Sequence, residues 1–190
     1  MFENEDGLAG KLLIAMPGID DDRFSKTVIL VCAHNDEHAM GIVLNRAMSD
    51  LTLRELLDQL NVPIESSPPE DAILLGGPVG KDRGFVLHSE DFESIGATIP
   101  VTEGIRLTAT KEVLHAIASR ECPRKCRLAL GYSGWGPHQL ETELKENVWL
   151  VTDADDDIIF DSDFDMKWEK AVQKLGISPD QIQVGQAGRA

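Results

Sequence analysis

The chain reads as a single α+β domain built on a mixed or antiparallel sheet. Three observations predict this. The 190 residues fit one domain. Apolar, β-branched runs of strand length cluster early, and helical patterns are interspersed irregularly rather than in regular β–α alternation. No internal repeat interrupts that order. With 42% hydrophobic and 27% charged residues, the chain has the composition of a globular protein that buries about 70% of its unfolded surface without staples.

Each element has a local cause. Residues 1–10 are polar and acidic and are expected to be loose. Lys11 to Ala15 is a short strand stopped by Met16-Pro17-Gly18, and Asp20 to Arg23 is a loop. Thr27 to Ala33 is a continuous apolar run, the mark of a strand buried on both faces. A turn at His34 to Glu37 leads into a second such strand, Ala39 to Leu44, and the pair predicts a hairpin. Thr52 and Glu55 have capping-box spacing, and Leu53, Leu56, Leu57 and Leu60 then fall on one helical face. The Pro/Ser-rich stretch Pro63 to Pro69 is a loop. Strands at Ala72 to Leu75 and Gly84 to His88 flank Gly76-Gly77-Pro78-Val79-Gly80, which reads as a hairpin turn using glycine's positive φ.

Ile105 to Ala109 is a further strand, and Thr110 is placed to cap a helix carrying Val113, Leu114, Ile117 and Ala118. Arg127 to Leu130 is a strand leading into a turn, Gly131-Tyr132-Ser133-Gly134-Trp135, with Pro137 at the first position of the next helix. Leu140 and Leu144 face inward there, and Asn147 to Val151 is a strand. Ser162 and Asp165 have capping-box spacing before an amphipathic helix bearing Phe164, Trp168, Ala171, Val172 and Leu175, which Gly176 ends. The folded domain is therefore expected over residues 11–176, with a loosely ordered tail over 177–190.

Charge excludes several roles. The 33 acidic against 18 basic residues give a net −15. Nucleic-acid affinity rests on clustered Lys and Arg releasing phosphate counterions. The densest basic stretch is Arg120, Arg124, Lys125 and Arg127, which reads as a solvated helix end and loop. The acidic start, Met1 to Gly7, is the reverse of a signal peptide's basic n-region. The longest apolar run, Val28 to Ala33, is too short to span a bilayer. A cytoplasmic location without membrane or nucleic-acid contact is expected.

Signatures of known chemistry are incomplete. The hydrolase elbow needs a glycine two residues before and two after its serine. Gly131 satisfies the first for Ser133, but Trp135 takes the second position, so Ser133 reads as a turn serine. Gly80-Lys81 is followed by Asp82 where a phosphate loop needs Ser or Thr. In the aspartate-rich stretch from Asp153 to Asp165, an EF-hand would need Gly and Glu where Ile158 and Phe164, or Met166 and Val172, stand. Those aspartates read as helix N-terminal charge and solvated surface. Cys122 and Cys126 lack the two-residue spacing of zinc and redox motifs, Cys32 reads as a small buried hydrophobe, and His34 and His38 as solvent-facing. No catalytic residue, metal or cofactor is assigned.

Several motifs in the same order resemble one family. Leu12 to Pro17, Phe24 to Val28 and Gly41 to Arg46 resemble the start of the YqgE/AlgH family. Gly76-Gly77-Pro78-Val79 and Phe85-Val86-Leu87-His88 resemble its middle. Gly131 to Trp135, Gln139-Leu140-Glu141 and Trp149 resemble its end. The resemblance implies a bacterial cytoplasmic protein with a bifurcated sheet, a small barrel-like portion and surrounding helices. It also implies the label of transcriptional regulator that the family commonly carries. It brings no catalytic residues. Arg23, Ser25, Asn45, Arg46, His88, Ser133 and Gln139 are its polar members that could line a shared site, and Tyr132 and Trp135 are aromatic candidates for ligand or partner contact. The expected role is that of an accessory or regulatory protein acting through protein contacts rather than on DNA. The alternatives are a small-ligand module or a hydrolase-type enzyme using the Gly131–Glu141 turn.

Overall fold

The computed structural model describes residues 7–182. Its strands are β1 (Lys11–Ala15), β2 (Val28–His34), β3 (Ala39–Val43), β4 (Leu74–Leu75), β5 (Val79–Ser89), β6 (Thr98–Pro100), β7 (Ile105–Thr108), β8 (Cys126–Trp135) and β9 (Trp149–Asp153). The helices are α1 (Leu53–Gln59), α2 (Lys111–Ala118), α3 (Gln139–Lys145), α4 (Asp156–Phe160) and α5 (Lys167–Lys174). The strands run β6-β7-β5-β8-β3-β2-β1-β9, with β4 also beside β8. All pairings are antiparallel except β4–β8. This is the expected α+β fold: a curled antiparallel sheet with helices around it.

The apolar runs become strands because both of their faces are buried. Leu12 and Ile14 of β1, with Leu30 and Cys32 of β2, enter one core, which is closed by Trp168, Ala171 and Val172 of α5. The alternate residues Leu13, Ala15, Ile29 and Val31 enter a second core with Trp135, Leu140 and Trp149. A third core places α1 and α2 on the β5–β8 face through Leu57, Val113 and Ile117. The capping box at α1 forms as expected. Thr52 Oγ1 accepts from Glu55 N at 3.2 Å, and Glu55 accepts from Thr52 N at 2.8 Å.

The largest departure from expectation is β8. The Gly131–Trp135 segment is no turn: the strand continues through it and changes partners. Leu130 pairs with both β4 and β5, whereas Gly41 of β3 faces Ser133. Gly131, at φ +76°, carries the bend. Nor is Gly76–Gly80 a hairpin turn, because it crosses β8 at backbone contact. A Cβ on Gly77 would lie 2.1 Å from the Tyr132 carbonyl carbon, and one on Gly131 would lie 2.6 Å from Gly77 O. The glycines of these two motifs are needed because two backbones touch, which makes the pair a joint holding the fork of the sheet.

Smaller corrections have local causes. Pro137 lies in a turn, and α3 starts at Gln139 after His138 adopts a left-handed φ of 57°. Ser162 forms no capping box. Instead Asp155 caps α4 by accepting from Asp157 N, and Asp161 accepts from Asp163 N. Thr110 sits at the α2 N-cap position, but its hydroxyl makes no cap bond. Strand β6 and helix α4 had no periodic signal long enough to predict them. His34 is not solvent-facing: its side chain is only 11% exposed. Its Nδ1 accepts from Leu8 N at 3.1 Å, so Nε2 carries the proton donated to Glu141 at 2.5 Å. Burial works to raise the Glu141 pKa, but its amide bond and His34 hold it below the usual carboxylate range. Ile177 and Ile182 pack on the first core. The remainder of the ends expected to be loose, residues 1–6 and 183–190, lies outside the described residues.

Candidate functional site

The fork at β8 opens a groove of about 300 Å³ on the surface. Its floor is apolar: Val43 at the end of β3, Leu75 of β4, Pro78, and Leu130 of β8. Leu75 is 43% exposed, and Val79 next to the groove is 40% exposed. Three cations, Arg23, Arg46 and Lys81, line it. They come from three separate segments: the β1–β2 loop, the chain after β3, and the start of β5.

Arg46 is positioned by backbone carbonyls of the loop that carries Arg23. Arg46 donates from one terminal nitrogen to Asp22 O and Ser25 O, both at 3.0 Å. Asn45 next to it donates to Lys26 O at 2.7 Å and accepts from Val28 N at 2.9 Å. Asn45 and Arg46 thus pin the β1–β2 loop. That loop carries Arg23, whose guanidinium grips Asp21 with bonds of 2.7 and 3.0 Å. The side-chain bonds from Arg23 hold the Asp21 carboxyl below its usual range, although burial slightly opposes them. Being exposed, this pair can be exchanged for a partner's carboxylate at little cost. Lys81 is exposed and makes no ion pair among the described residues.

The sequence candidates therefore separate. Arg23 and Arg46 line the groove, whereas Ser25 and Asn45 take part only in the loop contacts beside it. The others go elsewhere. His88 is fully buried: its Nδ1–H donates to Ser89 O at 2.7 Å, so Nε2 accepts from Thr108 Oγ1 at 2.8 Å. Burial lowers its pKa despite the Ser89 bond. Ser133 is also fully buried and donates to Gly76 O at 3.3 Å. Its hydroxyl is closed to solvent and occupied by the backbone, so it cannot act as a nucleophile here. Tyr132 stacks edge-on against Phe85 at 5.7 Å.

Trp135 and Trp149 both donate their indole N–H to Glu143 Oε2 at 2.8 Å, and Gln139 donates to the other oxygen at 3.2 Å. The aromatic candidate Trp135 and the amide Gln139 thus belong to an anchor that ties α3 to the sheet. Sequence reasoning missed Leu75 and Lys81. An exposed leucine before a Gly-Gly-Pro segment was the one available signal, and it needed the fork to become meaningful.

Three of the four cations of the basic stretch are neutralised in place, Arg120 being the exception among the described residues. Arg124 lies 3.7 Å from Asp91, Lys125 3.2 Å from Asp156, and buried Arg127 3.2 Å from Asp71. The last contact is close enough for attraction but is not aligned as a hydrogen bond. Among the described residues, no three His, Cys, Asp or Glu side chains are grouped to hold a metal, and no helix is long and apolar enough to cross a membrane.

A family model described as AlgH-like matches residues 12–180. The chain belongs to the AlgH-like family. A UPF0301 protein of Caulobacter vibrioides is 51% identical over 193 residues, covering 100% of this chain and 98% of that relative. Another from Rhodopseudomonas palustris is 48% identical over 196 residues, covering 100% and 89%. The solution structure of the AlgH protein of Pseudomonas aeruginosa superimposes with a TM-score of 0.77 at 38% identity, covering 99% of this chain and 98% of that one. A Corynebacterium diphtheriae protein at 18% identity and TM-score 0.70, covering 92% and 90%, shares the fold. The expected family and the expected α+β fold are therefore both borne out. None of these names specifies an activity.

Proposed function

We propose that the chain is a non-enzymatic accessory protein that docks a protein segment combining carboxylates with apolar side chains in the groove at the β8 fork. One observation carries this reading. In a chain of net charge −15, Arg23, Arg46 and Lys81 converge from three segments on a floor containing exposed Leu75. Apolar exposure rimmed by charge marks an interaction surface, and the cations select an acidic occupant. Net negative charge elsewhere opposes nucleic acid, so a regulatory role would run through proteins.

The test compares three immobilised chains in nuclease-treated native lysate, with bound proteins quantified by mass spectrometry. They are the wild type, Leu75→Asp/Lys81→Glu, and Ile95→Asp, whose residue is exposed and does not line the groove. The expected result is a protein held by the wild type and by Ile95→Asp but at least tenfold depleted on the double variant. Cross-links should map its acidic, apolar segment to the groove. Equal retention by all three chains, or retention only when nucleic acid is intact, would refute the reading.

A further inference from the structure

Cys122 and Cys126 lack the spacing of a redox motif, yet the fold brings them together. Their thiols are close enough to hydrogen-bond one another, and neither is cross-linked. Cys122 lies in the loop after α2, and Cys126 is the first residue of β8. Both pack at the edge of the third core and are half-buried rather than sealed. Cys126 also lines a surface cavity of about 270 Å³ with Pro123 and Arg124, which gives small molecules a way in.

The loop between the two cysteines is held by bonds that do not involve sulfur. Arg124 N donates to Asp91 Oδ2 at 2.9 Å, and Lys125 N donates to Ser89 Oγ at 3.0 Å. Ser89 N completes the clasp by donating to Lys125 O at 2.9 Å. Pro123, directly after Cys122, fixes its own φ. The intervening residues are thus tied to the end of β5 and the turn after it, and the thiols are held in one geometry. Closing a ring costs chain entropy, and this clasp has already removed most of that freedom.

The two thiols are not equivalent. Burial raises the pKa of both, that of Cys126 to about 12. The Cys126 S–H donates to the Cys122 sulfur, which opposes the rise at Cys122 and adds to it at Cys126. Asp91 faces Cys122, and Asp71 and Arg127 face Cys126. Cys122 is therefore the sulfur that ionises first and attacks, and Cys126 is the one that resolves. Two sulfurs alone do not make a metal site, and among the described residues no third ligand joins them. Cys32 is an internal control: it is 2% exposed and belongs to the first core.

We propose that Cys122 and Cys126 form a reversible redox-modification site that closes to an intramolecular disulfide by exchange with a small-molecule disulfide. The Cys122 thiolate attacks one sulfur of the reagent, making a mixed disulfide and releasing the first thiolate. Cys126 then loses its proton to solvent and attacks the Cys122 sulfur, which releases the second thiolate. The protein gives up two electrons and two protons, and the reagent leaves as two thiols. The bridge fastens the loop after α2 to the start of β8. Neither sulfur lines the docking groove, so this site is independent of docking.

The full chain is equilibrated with mixtures of oxidised and reduced glutathione, quenched with acid, and read by intact mass and peptide mapping. The expected product is two hydrogens lighter, carries no glutathione, and joins Cys122 to Cys126 while Cys32 stays free. Its equilibrium constant should be at least tenfold larger for the folded chain than in denaturing urea, because the clasp preorganises the thiols. Cys126→Ser should stop at one glutathione on Cys122, and Cys122→Ser should take up glutathione at least tenfold more slowly. A mixed disulfide as the wild-type end product, a bridge through Cys32, an unreacted wild type, or a folded constant no larger than the unfolded one would overturn the site. Faster uptake by Cys122→Ser than by Cys126→Ser would overturn the order of attack. The wild-type equilibrium decides the site even where a variant folds poorly.

Discussion

Replacing Lys167 with methionine probes a charge held in an apolar place. Lys167 is fully buried. Its ammonium donates to Ile159 O at 3.0 Å and lies 5.1 Å from the Phe164 ring centre, a ring that Arg127 also faces at 5.5 Å. Burial first, and the Arg127 charge second, push its pKa down to about 7 from 10.5, with Asp161 opposing them. Because the folded pKa lies below the unfolded one, the unfolded chain binds more protons between pH 7 and 10.5, and stability must rise with pH across that window. Integrating a single site with these two values gives a penalty of about 4 kcal/mol at pH 7 and about 2 kcal/mol at pH 9. Below pH 7 both states are protonated and the penalty is nearly constant.

The assay is urea denaturation of wild type and Lys167→Met at pH 6, 7, 8 and 9. The stability of the wild type relative to Lys167→Met should rise by about 2 kcal/mol between pH 7 and 9 and change far less between 6 and 7. Taking the difference cancels groups that titrate in both proteins. A difference that stays level within about 0.5 kcal/mol, the usual size of a neutral surface effect, would refute the reasoning.

Two further perturbations follow from the same geometry. Glu143→Ala removes the shared acceptor of two buried indoles, and hydrogen bonds to charged groups contribute about 1.5–3 kcal/mol each. Since water reaches half-buried Glu143, a loss of about 2–4 kcal/mol in urea denaturation is expected, with Glu143→Gln costing clearly less. Gly77→Ala drives a Cβ into the Tyr132 carbonyl. It should cost about 4 kcal/mol or more, the range of severe backbone clashes, and should appear as collapse of the dispersed amide spectrum.

How much was legible depends on whether a signal was local. Strands β1, β2 and β3 could be read because burial on both faces writes itself as an unbroken apolar run, and α1 because Thr52 and Glu55 sit in the helix they cap. Gly131–Trp135 was misread for a physical reason. Glycine is equally suited to a turn and to the close approach of a second backbone, and only the partner strand decides between them. That partner, Gly76–Gly80, lies about fifty residues away in sequence, beyond any local pattern. His34 was misread similarly, since Glu141 and Leu8 reach it only in the fold. Arg23 and Arg46 were named through family resemblance, not chemistry, and their convergence with Lys81 and Leu75 exists only once β4 lies against β8.

The motifs that look most like a site are the joint beside which the site forms. Gly76, Gly77 and Gly131 bring two backbones together, which forces the sheet to fork and leaves β4 only two residues long. A strand so short cannot cover its own side chains, so Leu75 remains exposed at the fork, where Arg46 and Lys81 flank it. The groove is then a consequence of the joint rather than a separate feature. Variation in specificity can therefore enter through residues 23, 46, 75 and 81 without disturbing the glycines, whereas changes at the glycines remove the fold and the groove together.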